Sequence, residues 1–113
     1  RPTPASELDE YEDRDFEFKV RALSFGDRVS LRLDKEAKGL MVENVEAAGW
    51  ASLAGLRQGD VILKVDGKPI NAITEFRSRM EAIAEKRPER VIFFIKRGIH
   101  TMFVEFEPNW ENP

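Results

Sequence analysis

Apolar and polar residues alternate at two-residue intervals in several short segments of the chain. Phe16, Phe18 and Val20 alternate with charged residues, which predicts a half-buried strand. Residues 91–95 are instead apolar at five consecutive positions, as in a strand covered on both faces. The pattern predicts about five strands, at residues 16–22, 40–45, 61–65, 91–95 and 102–106.

A helical spacing of apolar residues follows at residues 74–86. Phe76, Met80 and Ile83 recur at i, i+4 and i+7, so they should pack on one face of a helix. Thr74 is a favourable N-cap residue for this helix. The spacing therefore predicts a helix with these three side chains in the core and the charged positions between them in water.

The stretch Gly49–Ile70 carries the most distinctive local signals. A turn or two of helix should end at Gly55, because glycine accepts the left-handed conformation of a helix C-terminus, and Leu56 should pack back on that helix. Asp66 and Gly67 form a strong tight-turn signal after the strand at 61–65. This stretch is predicted to be a short helix, a turn, a strand and a second turn.

The order of residues in this stretch resembles the PDZ domains of bacterial HtrA/Deg-type serine proteases. The matching residues are Ala54-Gly55-Leu56, Gly59-Asp60-Val61-Ile62-Leu63 and Val65-Asp66-Gly67-Lys68-Pro69-Ile70. The resemblance covers residues 15–107. It implies an α+β, mainly β fold: a small, partly open barrel or sandwich of five or six strands, capped by two or three helices. The strand order would be the circularly permuted one of the protease PDZ domains.

Residues 24–33 fit two local structures. Ser24-Phe25-Gly26-Asp27 fits a capping box, and Phe25, Val29 and Leu33 would share one helical face. Val29, Leu31 and Leu33 also alternate as a strand would. The resemblance favours a short helix here, and we predict one.

The composition is that of a single globular domain. The chain has 113 residues, 42% hydrophobic and 35% charged, with a net charge of −3, which gives no reason to expect nucleic acid as a partner. No apolar run approaches the roughly 18 residues of a membrane span, so direct membrane insertion is not expected. Cysteine is absent, which excludes disulfides but fits periplasm and cytoplasm alike.

Both ends of the chain are predicted to lie outside the domain. Residues 1–14 contain two prolines and many acidic residues, which predicts a solvated linker. Residues 108–113 are predicted to be a frayed tail. Because the sequence begins at Arg1 without a signal-type segment, we interpret it as part of a longer protein.

The sequence offers no catalytic constellation. Its one histidine, His100, is predicted beside a hairpin turn, and the serines Ser24 and Ser52 are explained as helix residues. Zinc sites draw on several His or Cys ligands, and glycine-rich phosphate loops are missing. We therefore expect no enzymatic activity, no metal and no cofactor in this chain.

Peptide binding is what the resemblance implies. A peptide would add as a strand between the strand at 16–22 and the helix at 74–86. Its terminal carboxylate would meet converging backbone amides in the loop Asp15-Phe16-Glu17-Phe18, where the family has two glycines and this chain has neither. The candidate peptide-binding residues are Arg14, Asp15, Phe16, Glu17, Phe18, Lys19, Val20, Arg79, Met80 and Ile83.

The loop chemistry predicts weakened carboxylate binding. Asp15 and Glu17 place negative charge beside the expected site, and Arg14 can offset one of them. Phe16 and Phe18 could equally be core residues. An exposed helix charge is the simpler interpretation of Arg79, and Trp50 and Trp110 are interpreted as packing and tail residues.

The resulting hypothesis is a non-catalytic PDZ module in an extracytoplasmic HtrA/Deg-like serine protease. Its partners would be peptide segments or protein C-termini, together with the protease domain of the same parent chain. One alternative is a PDZ domain of another protease class, a membrane metalloprotease or a C-terminal processing peptidase. Another is a scaffold with a vestigial groove that makes only domain–domain contacts.

Overall fold

The computed structural model describes residues 10–34 and 38–110. Seven strands and three helices lie in this part of the chain. The strands are β1 (Glu10–Asp13), β2 (Phe18–Ala22), β3 (Leu40–Val45), β4 (Val61–Val65), β5 (Lys68–Pro69), β6 (Val91–Arg97) and β7 (His100–Phe106). The helices are α1 (Phe25–Ser30), α2 (Trp50–Ala54) and α3 (Ile73–Lys86).

All strand pairs are antiparallel and form one open sheet. The order is β1-β2-β3-β4-β6-β7, and β5 pairs with β4. The predicted fold class is confirmed: a mainly β domain with helices inserted between strands in the permuted order. The strands beyond the predicted number are β1 and the two-residue β5.

The core lies between the curved sheet and α3. Ile73, Phe76, Met80 and Ile83 form the buried face of α3, as their spacing predicts. Five phenylalanines are at most 1% exposed: Phe16, Phe18, Phe76, Phe93 and Phe106. Their rings meet mostly edge to face, the preferred geometry for aromatic pairs.

Local turn and cap signals are reproduced in the structure. Gly55 takes φ 98° at the end of α2, and Asp66 and Gly67 both have positive φ in the hairpin between β4 and β5. Ser24 and Asp27 form the capping box of α1, which confirms the choice of helix. These features depend on neighbouring residues alone.

Three element predictions need correction. Helix α3 begins at Ile73, and Thr74 is not its cap: Ala72 takes that position, while the Glu75 side chain accepts the Asn71 N–H at 2.7 Å. Phe16 lies in the turn before β2 rather than in the strand. Strand β6 is not covered on both faces, since Ile92 is 37% exposed.

The predicted linker and tail also differ from the structure. Glu10–Asp13 form β1, paired antiparallel with β2, instead of belonging to a solvated linker. Trp110, predicted in a frayed tail, packs against Trp50 and donates its indole N–H to the Pro88 carbonyl at 2.9 Å. The rest of both segments (1–9 and 111–113) and the centre of the predicted loop at 34–39 (35–37) lie outside the described residues.

An ion pair between β2 and α1 makes the stability of the domain depend on pH. Arg21 Nη2 donates to Asp27 Oδ1 at 2.9 Å, and its Nη1 bonds the other carboxylate oxygen. These hydrogen bonds hold the pKa of Asp27 below its usual range. A depressed pKa stabilises the fold above the usual aspartate pKa of about 3.9 and ceases to do so as the pH falls towards the folded value.

We therefore expect Asp27→Asn to lose less stability on acidification than the unmodified domain. The difference should be on the order of 1 kcal/mol between pH 6 and pH 2.5, since the pair is partly exposed. Urea unfolding at both pH values measures it, with Asp34→Asn, at an exposed carboxylate after α1, as the control. Equal pH dependence in Asp27→Asn and the unmodified domain would show that the pair does not stabilise the fold.

Candidate functional site

The space between β2 and α3 contains β1. Tyr11 lies opposite Val20, and Asp13 lies opposite Phe18 in the β1–β2 ladder. The Tyr11 ring meets the Phe76 ring edge to face at 5.7 Å, and the Arg77 guanidinium lies 5.8 Å from the Tyr11 ring centroid. The groove predicted to take an extended peptide thus holds a strand of the chain itself.

The turn between β1 and β2 surrounds the Asp13 carboxylate with donors. The backbone N–H groups of Asp15 and Phe16 donate to Asp13 Oδ1 at 3.1 and 2.9 Å. The N–H of Glu17 donates to the Asp13 carbonyl oxygen at 2.8 Å. Two successive amides therefore converge on the Asp13 carboxylate, in the manner of an anion-binding nest, and the third closes the turn.

Asp13 is almost fully enclosed. It is 5% exposed, and the Tyr11 hydroxyl donates to its Oδ2 at 3.0 Å. Burial raises the pKa of Asp13, whereas the Phe16 N–H and the Tyr11 hydroxyl lower it and the Asp15 charge raises it further. Burial also raises the pKa of Tyr11, and the neighbouring Asp13 charge adds to that effect.

Most of the predicted site residues meet at this groove. The apolar residues of the predicted set are buried and belong to the core: Phe16, Phe18, Val20, Met80 and Ile83, of which Ile83 also borders a cavity on the other flank of α3. Arg14, Asp15 and Glu17 are exposed around the turn. Lys19, half-buried on β2, forms an ion pair with Glu10 of β1 at 3.2 Å.

Glu17 takes a backbone conformation that favours glycine. Its φ is 62°, in the left-handed region, at a position where the family has glycine. Its side chain covers the buried Gly49, where an added Cβ would come within 2.8 Å of the Glu17 Cβ. Without either glycine, the loop still turns the Asp15 and Phe16 N–H groups towards the Asp13 carboxylate.

The structure does not bring Arg79 to the groove. Arg79 lines a separate cavity of about 230 Å³ on the other flank of α3. Asp66 and Lys68, from the β4–β5 turn and β5, line the same cavity, as does Ile83. The flank of α3 nearest β1 presents Arg77 instead.

Sequence reasoning missed Tyr11, Asp13 and Arg77. The available signal was weak: Tyr11 is the one aromatic residue of an otherwise acidic segment, two positions before Asp13. That spacing places both side chains on one face of a strand.

No catalytic centre emerges from the described residues. His100 is exposed at the start of β7, and no group of three or more His, Cys, Asp or Glu residues within 10–34 and 38–110 could hold a metal ion. Among the residues that the structure describes, no helix is long and apolar enough to cross a membrane.

Comparison with known sequences identifies the family. A family model described as "PDZ domain" matches residues 28–105. Over 70 residues the chain is 29% identical to a probable periplasmic DegP-like serine endoprotease of Buchnera aphidicola, covering 62% of this chain and 14% of that protein. Over 54 residues it is 41% identical to the magnetosome formation protease MamE of Magnetospirillum gryphiswaldense, covering 48% of this chain and 7% of that protein.

Solved structures agree with this fold. The HtrA3 PDZ domain bound to a phage-derived ligand, FGRWV, superposes with a TM-score of 0.65 at 19% identity, covering 88% of each chain. The HtrA-type protease AlgW with a decapeptide gives a TM-score of 0.65 at 27% identity, covering 93% of this chain and 30% of that one. The chain therefore belongs to the PDZ domain family and is similar to the PDZ domains of HtrA/Deg-type serine proteases.

Proposed function

We propose that this domain binds extended peptide segments or protein C-termini by strand addition to β2, in the groove between β2 and α3. The observation that carries the proposal is β1, which pairs antiparallel with β2 while its Asp13 carboxylate accepts two loop N–H groups. A peptide strand ending in a carboxylate would use the same two features: the outer edge of β2 and the two loop amides. The candidate peptide-binding residues of β2, its preceding turn and α3 would line it, without Arg79.

The parent protein is proposed to be a larger extracytoplasmic protease of the HtrA/Deg type. In support, two curated relatives are named as proteases, one of them as periplasmic, and the chain spans 14% and 7% of their lengths. In such a protein the domain would present substrates to the protease domain or relay peptide binding to it. Its own contribution would be recognition, without catalysis.

A peptide titration followed by NMR tests the binding function. Peptides with apolar C-termini, at millimolar concentration, should shift the backbone amides of β2 and of the first turns of α3. The experiment uses the unmodified domain and the variant with both Tyr11→Ala and Asp13→Ala, so that β1 does not mask a functional groove. If no peptide shifts these amides in either protein, the scaffold with a vestigial groove becomes the better explanation.

The charges of the loop should limit how much a free terminal carboxylate adds to the affinity for a peptide. We expect free-acid peptides to bind within about threefold of their C-terminal amides, because Asp15 and Glu17 repel an arriving anion. Glu17→Gln should shift the ratio of the two dissociation constants towards the free acid, and Glu107→Gln, at an exposed carboxylate beyond β7, should not. If the unmodified domain bound only peptides with a free C-terminus, the prediction that the loop binds a carboxylate weakly would be wrong.

A further inference from the structure

Strand β2 has two hydrogen-bonding edges, and both are paired. One edge pairs with β3, inside the sheet, and the other pairs with β1 over four residues from Glu10 to Asp13. A peptide that adds a strand to β2 needs the second edge, because the ladder with β3 belongs to the core of the fold. The incoming peptide and β1 therefore compete for the same N–H and C=O groups.

The competition extends to side-chain sites. Tyr11 occupies the position beside Phe76 and beneath Arg77, and Asp13 holds the amides of the loop. Glu12 lies between them and is exposed. Two alternate side chains of β1 thus face the groove, and the one between them faces water, as in any strand laid on an edge.

We propose that β1 is an intramolecular ligand of the groove, which must leave before a peptide binds. We also propose that the fitting peptide carries an aromatic side chain two residues before a carboxylate-bearing end. This inference rests on the proposed peptide-binding function and adds its regulation and its ligand class. The aromatic ring takes the place of Tyr11, against Phe76 and Arg77. The carboxylate takes the place of the Asp13 side chain at the Asp15 and Phe16 amides.

The contacts of β1 are those of a segment that can exchange. β1 is short and lies at the edge of the sheet, where few residues hold a strand in place. Its buried Asp13 has a raised pKa through desolvation and the nearby Asp15 charge, which weakens docking of the ionised side chain at neutral pH. The ion pair between Glu10 of β1 and Lys19 of β2 is partly exposed, so it holds β1 only weakly.

A disulfide that can be reduced tests whether β1 and a peptide compete for β2. The natural sequence has no cysteine, and Glu12 and Lys19 are Cα partners across β1 and β2, so E12C/K19C can place one disulfide between the two strands. The probe is a free-acid peptide with the sequence of residues 6–13, which ends in the groove-facing aspartate. Its binding is measured by isothermal titration to the oxidised and reduced forms of the same protein.

We expect the oxidised form to bind the probe at least about tenfold more weakly than the reduced form. The apparent dissociation constant rises in inverse proportion to the fraction of open groove, and a closed disulfide brings that fraction close to zero. The opened variant Y11A/D13A should bind at least about tenfold more tightly than the unmodified domain. E12A, altered at the exposed position of β1, should bind like the unmodified domain.

Different outcomes separate this inference from the binding function itself. If the oxidised form binds as tightly as the reduced form, β1 does not compete, although peptide binding stands. If the opened variant binds other peptides but not the probe, the proposed ligand class is wrong; a probe with alanine in place of its tyrosine should bind about tenfold more weakly. If the opened variant retains its amide dispersion and binds no peptide at all, the proposed function itself fails.

Discussion

Replacing Arg97 by alanine is expected to lower the free energy of unfolding by about 3 kcal/mol, because it breaks an ion pair whose carboxylate is buried and whose guanidinium is partly exposed. Arg97 Nε donates to Asp60 Oδ1, and Arg97 Nη2 donates to Asp60 Oδ2, each at 2.8 Å. Asp60 is 1% exposed, so the truncation leaves a largely enclosed carboxylate without its cation, with the Arg57 N–H, which donates to Asp60 Oδ2 at 2.8 Å, as its remaining partner. The same Nη2 donates to the Gly55 carbonyl oxygen at 2.8 Å, a bond that is lost as well.

Arg90→Ala is the matched control. Arg90 precedes the same strand, its side chain is 68% exposed, and its nitrogen lies 3.7 Å from a carboxylate oxygen of Glu105. Such a pair contributes under about 1 kcal/mol. Urea unfolding at pH 7 compares the two variants, and the double variant Asp60→Asn with Arg97→Ala should recover part of the loss. If Arg97→Ala were no more destabilising than Arg90→Ala, the Arg97–Asp60 pair would not stabilise the fold.

The sequence could predict those elements whose signals are local. The end of α2 at Gly55, the tight turn at Asp66 and Gly67, and the capping box at Ser24 each depend on residues within four positions of one another. The buried face of α3 follows from helical spacing alone. Together with the resemblance, these signals predict the fold class and most of the buried apolar residues of β2 and α3.

Strand β1 is not predicted, although its partner β2 begins only five residues after Asp13, because the segment lacks the alternation of apolar residues that indicates a strand. Its composition is acidic, and composition favours a solvated linker when nothing is known of the surroundings. What holds the strand is the edge of β2, the Phe76 ring of α3 and the amides of the turn after Asp13. The position of a charged helix residue depends on distant contacts: the spacing of apolar residues in α3 does not say whether Arg77 or Arg79 faces β1.

Phe16 shows how closely the groove and the core are connected. The sequence left open whether it is a core residue or part of a pocket, and it is 1% exposed beneath the loop. Its ring meets those of Phe106 at 5.2 Å, Trp50 at 5.3 Å and Trp110 at 5.9 Å. Its N–H donates to Asp13 and its carbonyl accepts the Ala51 N–H, so one residue joins the loop, α2 and the final segment.

Phe16→Ala is therefore expected to lower the free energy of unfolding by about 3–5 kcal/mol, from lost burial and the cavity left behind. Because Trp50 and Trp110 border that cavity, their emission in the folded state should also move to longer wavelength as water approaches the indole rings. Phe103→Ala is the control, since Phe103 is 72% exposed on β7 and the loss should stay below about 1 kcal/mol. Urea unfolding followed by tryptophan fluorescence measures both effects. If the two variants lost equal free energy of unfolding, the aromatic cluster around Phe16 would not stabilise the fold.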